Sequence, residues 1–196
     1  SISLPHVSDS EQLAQVNATI EAVKKDHADL WGQIAHARPE DAREIVEFYD
    51  TALGGDMDEN SVQMVRGMIE KPGSYYWILR NEQGQIIALR YIYYVKVQGE
   101  TVDVRNSFTI VLESERNKGI GTVLFAFALE QIITTIERLA KEYRVDTIHI
   151  EIKQSSDVVG EDVEPTLRTA KRFLFTKKPD ADLEEGEENI YQLDLA

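Results

Sequence analysis

The stretch that most constrains this chain runs from Ile110 to Thr122, Ile-Val-Leu-Glu-Ser-Glu-Arg-Asn-Lys-Gly-Ile-Gly-Thr. Its first residues end a β-rich run, and after Gly119 the chain turns helical to about Tyr143. Leu124, Phe127, Ala128, Ile132, Ile136, Leu139 and Tyr143 recur there at helical spacing and predict a buried stripe. A strand that feeds a glycine-containing turn and then a helix leaves the first helical amides without intrahelical acceptors. The macrodipole adds partial positive charge at the same point. Together these make an anion site of the phosphate class. Glycine lets a bulky phosphate approach the backbone closely, and Arg116 and Lys118 add side-chain charge. The alternative for Gly119 and Gly121 is that they only permit tight helix packing.

Two other phosphate motifs fit badly. A Walker loop needs Gly-Lys-Ser/Thr at the helix start, whereas the order here is Lys118-Gly119-Ile120-Gly121-Thr122. A dinucleotide fingerprint needs three spaced glycines, and the chain supplies two.

The rest of the chain reads as an alternation of elements. Leu13, Val16, Ile20, Val23, His27 and Leu30 recur at steps of three and four, which predicts an N-terminal helix. It is either laid on the main domain or forms a homodimer contact. Gln33 to Ala37 reads as a short strand. Pro39, Glu40 and Asp41 open a helix that Gly54-Gly55 stops, and a second helix runs from Glu59 to Glu70 until Pro72-Gly73. Ser74–Leu79, Gln85–Val97 and Thr101–Leu112 form an antiparallel meander, turning at Asn81–Gly84 and Gln98–Glu100. Thr147 to Lys153 alternates strictly, and its return from the long helix implies local parallel pairing. Residues 154–165 read as a polar loop, Thr166–Phe175 as a short helix, the acidic run Pro179–Glu188 as a solvated hairpin loop, and Ile190–Leu195 as a closing strand.

Composition bounds the function. The 196 residues contain no cysteine, which removes disulfides, thiolate metal sites and cysteine nucleophiles, and no metal is called for. The net charge of −14 repels phosphates, so nucleic acid is not an expected partner. The same charge keeps the protein soluble and would steer a cationic amine inward. No apolar run approaches the roughly 20 residues that span a bilayer, and Ser1–Pro5 lacks the blocks of a signal peptide. A cytoplasmic protein with no membrane partner is the expectation.

Val111 to Gly121 resembles the acetyl-CoA signature of the GNAT superfamily, Arg/Gln-x-x-Gly-x-Gly/Ala. Ile34–Ala42 resembles that family's opening strand and first helix, and Ala170–Phe175 its last helix. The likeness spans about residues 33–195. It implies an α/β (α+β mixed) fold: a central mixed, mostly antiparallel sheet flanked by helices. Residues 1–32 would be an N-terminal helical extension and 33–196 the acyltransferase domain. It also implies a sheet splayed between 101–112 and 147–153, with the pantetheine arm of acetyl-CoA pairing near Ile110 and Leu112. The pyrophosphate would rest on amides from Asn117 through Lys118, Gly119, Ile120 and Gly121 to Thr122. Thr169, Arg172 and Phe173 would line the far wall.

Catalysis by such a domain is attack of a neutral amine on a thioester. A primary amine of pKa near 10 is about 0.1% neutral at pH 7, a penalty of about 4 kcal/mol, so a base or relay must offset it. The resemblance places an oxyanion-binding N–H near Val111 or Leu112. Many relatives carry a carboxylate on the preceding strand and a tyrosine in the last helix. Here Arg105, Asn106, Ser107 and Thr109 follow Asp103, and Leu174 takes the tyrosine's place. The catalytic candidates are Glu151 and His149, which share a strand face beside the split, and Asn106. Against this stands the reading of an exposed polar face on an edge-like strand. Glu113 reads as a loop residue, Arg105 as an acceptor contact or a partner of Asp103, His36 as structural, and Tyr91, Tyr93 and Tyr94 as mostly core. The expected activity is acyl-CoA-dependent N-acetyl transfer to a small-molecule or protein amine. The alternatives are an inactive acyl-CoA-binding sensor or scaffold, and an interaction module.

Overall fold

A computed structural model describes residues 11–98, 101–142, 147–153, 171–177, 179–182 and 190–195. The helices are α1 (Glu11–Asp26), α2 (Ala28–Gln33), α3 (Ala42–Leu53), α4 (Glu59–Glu70) and α5 (Ile120–Glu142). The strands are β1 (Ile34–His36), β2 (Tyr75–Arg80), β3 (Ile86–Gln98), β4 (Thr101–Val111), β5 (Thr147–Lys153), β6 (Thr176–Lys177) and β7 (Ile190–Leu195). They form one seven-stranded sheet in the order β1-β2-β3-β4-β5-β7-β6. Among the described strands, only β4 and β5 run parallel, across the α5 crossover; the other pairs are antiparallel.

Local chemistry sets the helix ends. Before α3, the Asp41 carboxylate accepts from the Arg38 N–H at 2.8 Å. Gly54 closes the helix in the left-handed region at φ 70, donating to the Asp50 carbonyl. Asp58 caps α4 by accepting from the Ser61 N–H at 3.1 Å. Arg80, at the end of β2, pairs with Glu44 and Asp41 and ties α3 to the sheet.

Helices cover both faces. Ile45, Val46 and Tyr49 of α3 and Val62, Val65 and Ile69 of α4 pack on Tyr76, Ile78, Leu89 and Tyr91. On the other face α5 packs on Trp77, Ile92, Val102 and Val104, and α1 lies over α5 with Leu13, Val16, Ile20 and Val23 buried in the same cluster.

Several expectations change here. Between Glu11 and Gln33 the chain forms two helices broken at His27, and they lie on the main domain. Because α1 covers its outer side, α5 is buried nearly all round from Val123 to Leu129 rather than along one stripe; Phe127 and Leu139 are half-buried, and Tyr143 lies outside the described residues. Ile120–Leu139 is long and apolar enough to cross a bilayer by length and composition, contrary to the expectation that no run approaches that, but it is a core helix. β5 is an inner strand between β4 and β7, not edge-like. The helix expected to reach Phe175 ends near Arg172, and Leu174 turns into β6 at φ 68. Residues 99–100, 154–170 and 183–189 of the expected turn, loop, helix and hairpin lie outside the described residues.

Candidate active site

β4 and β5 pair only from Thr101↔Thr147 to Val104↔Ile150. Beyond that point β4 continues along β3 to Val111, and β5 continues along β7 to Lys153. The sheet therefore opens between them, as the resemblance implies. Among the described residues, no β4–β5 residue pair lies beyond Val104↔Ile150.

The register decides which groups face that opening. Leu112 donates its N–H to the Ile87 carbonyl at 3.0 Å. Alternate residues of an antiparallel ladder turn their backbone groups the same way. Ile110 and Leu112 therefore face β3, and Thr109 and Val111 face the opening. The backbone groups on that side are thus those of Thr109 and Val111, one residue away from the expected Ile110 and Leu112. The Val111 carbonyl already takes a long hydrogen bond, 3.4 Å, from Arg116 Nε.

The turn into α5 is the segment where the sequence predicts an anion site. Glu113–Glu115 makes one 3-10 turn, Asn117 and Gly119 are left-handed at φ 65 and φ 79, and Val123 closes the first helical bond to the Gly119 carbonyl. Among the described residues, the amides of Asn117, Lys118, Gly119, Ile120 and Gly121 have no acceptor. The two glycines part company. A Cβ on Gly121 would meet nothing within 4 Å. A Cβ on Gly119 would lie 2.9 Å from His27 Cε1, so this glycine also permits packing against the bend between α1 and α2. Lys118 donates to Glu115 at 2.8 Å, and that carboxylate offsets the charge expected from it.

The catalytic candidates are placed by backbone; the side chains of Asn106, His149, Glu151 and Arg105 lie outside the described residues. His149 is paired with Asp103 of β4, inside the closed part of the sheet. Glu151 is the first β5 residue past the last β4 pair, at the vertex of the opening. Asn106 lies on the open part of β4, between the β3 pairs Ile92↔Ser107 and Tyr94↔Arg105. Of the far wall, Arg172 is exposed, Thr169 lies outside the described residues, and Phe173 is a core residue against Phe125 rather than a lining one. Glu113 is exposed, and so is His36, whose ring meets Tyr75 and Trp77 edge-on. Tyr91 is buried, Tyr94 half-buried, and Tyr93 is exposed with the Lys71 ammonium 3.8 Å over its ring. No group of three or more potential metal ligands occurs among the described residues.

Sequence reasoning missed Arg90. It sits on β3 and donates from Nη1 to the Thr109 hydroxyl oxygen at 2.6 Å, so it lies one strand behind the opening. The signal was a lone cation inside Ile86-Ile87-Ala88-Leu89-Arg90-Tyr91-Ile92.

Solved structures share this architecture. A chimera of Vibrio cholerae spermidine N-acetyltransferase SpeG and hSSAT superposes with a TM-score of 0.54 at 10% identity, covering 83% of this chain and 94% of that one. A GNAT-family acetyltransferase from Streptococcus pneumoniae gives 0.50 at 15%, covering 82% and 96%. One from Staphylococcus aureus gives 0.50 at 14%, covering 83% and 98%. No family model matches the chain, and no curated protein sequence is similar to it. The chain has the GNAT fold: a mostly antiparallel sheet that opens beside its one parallel pair, with a glycine turn and helix N-terminus at the end of the opening.

Proposed function

We propose that this protein is an N-acetyltransferase that moves an acetyl group from acetyl-CoA to a primary amine by direct attack within a ternary complex. One observation carries the reading. The β4–β5 opening leads, along strand β4, to free amides at Asn117–Gly121 and to the empty space beside Gly121. A slot of unpaired backbone ending in an anion cradle suits a long, polar arm that terminates in a pyrophosphate.

The thioester supplies an activated acyl group. The residues of the chain orient it and manage the protons. Thr109 and Val111 offer the outward backbone groups, and an N–H there would take up charge on the carbonyl oxygen. Glu151, at the vertex, is the leading candidate for the base, directly or through water, with His149 and Asn106 behind it. The net charge of −14 favours a cationic acceptor, either a small amine or a protein amine. Glu151→Gln is expected to lower the rate at saturating acetyl-CoA and to alter the pH–rate profile. An unaltered profile removes Glu151 from the mechanism.

Titration calorimetry with acetyl-CoA, compared with dephospho-CoA, tests the cofactor. Saturable one-site binding supports the proposal, and no binding at millimolar ligand rejects it. A second reading is an acyl-CoA sensor without turnover. It is favoured by the absence of Asp and Glu from β4 after Asp103, and by Leu174 turning out of the last helix. Thiol release with a panel of amines separates the two.

A further inference from the structure

Arg90 is 4% exposed. Its Nη1 donates to Thr109 Oγ1, its guanidinium carbon lies 5.0 Å from the centre of the Phe125 ring of α5, and its Nε has no hydrogen-bond partner. No carboxylate pairs with it among the described residues, and burial alone pushes its pKa down, to about 9. A buried charge without a counter-charge is strongly unfavourable, and an apolar side chain of similar volume is commonly the more stable choice. For fold stability alone, Arg90 is therefore a poor choice of residue.

Its surroundings give it another use. Thr109, which it grips, belongs to the stretch of β4 whose backbone groups face the opening. Thr109 Oγ1 accepts from Arg90, which leaves its own O–H as a donor. We infer that Arg90 is a positioning residue for acyl transfer: it fixes Thr109 and holds a positive potential behind the Thr109 and Val111 backbone, where the thioester oxygen gains negative charge. In that step the amine lone pair forms the C–N bond. The carbonyl oxygen takes up an electron pair and returns it as the C–S bond breaks, and the amine proton ends on the thiolate sulfur. A fixed cation in a low-dielectric wall acts on that oxygen without reorganising. The inference rests on the acetyl-CoA reading above.

The test needs no known acceptor. Acetyl-CoA with an isotope-labelled carbonyl is bound to wild type, Arg90→Met and Thr109→Val, and the carbonyl stretch is read by infrared difference spectroscopy, with calorimetry and thermal unfolding alongside. The wild-type band is expected at lower frequency than in solution. Arg90→Met is expected to bind acetyl-CoA with similar affinity and to unfold at higher temperature, yet to return the band towards its solution position. Thr109→Val is expected to do the same to the band without the gain in stability. With a working amine, Arg90→Met should lower kcat by about 10–100-fold and leave KM for acetyl-CoA unchanged. Wild type that binds no acetyl-CoA would overturn the cofactor reading itself. Binding with one carbonyl frequency in all three proteins would overturn the role of Arg90 alone. Should Arg90→Met not fold, Thr109→Val still decides the question through the same band.

Discussion

Gly119 and Gly121 stand two residues apart and answer to different constraints. Gly119 is left-handed and pressed against His27, so a side chain there meets both backbone strain and a clash. Gly121 is helical and faces open space. Gly119→Ala is expected to cost about 1–3 kcal/mol by urea unfolding. Gly121→Ala should be neutral or gain about 0.5 kcal/mol, because alanine is the better helix former. Gly121→Glu should leave the fold intact and abolish CoA binding by setting a carboxylate against the pyrophosphate; unchanged affinity in calorimetry would rule out this placement of the cofactor. A buried phenol pair yields a second prediction. The Tyr49 and Tyr76 hydroxyls lie 3.0 Å apart, and burial raises both pKa values, that of Tyr76 to about 12. A raised pKa means that the native state keeps a proton the unfolded chain releases from pH about 10 upward. The contribution is complete below that pH and is lost as pH rises towards 12. Tyr76→Phe should flatten this alkaline loss and, at neutral pH, cost about 1–2 kcal/mol by leaving the Tyr49 hydroxyl unpartnered.

Among the elements, α5 shows how a neighbour changes the meaning of a pattern. The stripe predicted for it is sufficient to pack a helix on a sheet, but Val123, Ala126, Leu129 and Ile133 are buried as well. The buried row of α1, Leu13, Val16, Ile20 and Val23, accounts for this, since it lies in the same cluster. Ile20→Ala is therefore expected to destabilise the whole protein by about 2–5 kcal/mol, measured as a lower denaturant midpoint with an unchanged slope. A loss below about 0.5 kcal/mol, the range of ordinary surface substitutions, would mean that α1 is only loosely laid on. Strand ends and turns follow simpler rules. Asn81–Gly84 turns where its residues predict, and the Asn81 side chain takes the Gln83 and Gln85 amides.

At the scale of the molecule, the sheet order and its single parallel pair create the opening, and no single element contains it. The bend at His27 sets the N-terminal helices against the glycine turn at the start of α5. A chain beginning at Gln33 should therefore not behave as an independent domain. Removing the preceding residues exposes the outer side of α5, and the product is expected to aggregate or to lose its cooperative transition in thermal scans. A monomeric truncation with wild-type stability and CoA affinity would instead show that residues 33–196 suffice.

The sequence by itself determined what local chemistry governs. Helix caps, the meander and its Asn81–Gly84 turn, the long helix and the glycine turn that begins it all follow from short-range propensity and period. Those spans agree with the structure to within a residue or two, as at Glu59–Glu70 and Thr147–Lys153. Tertiary structure alone decided which backbone groups of β4 face the opening, because that depends on pairing with a strand more than twenty residues away in the chain, Leu112 with Ile87. It also decided that Gly119 serves His27, that Phe173 belongs to the core, and that Arg90 is a buried cation beside Thr109. Each of these is a contact between residues far apart in the chain, and periodicity along one element carries no information about what another element brings against it.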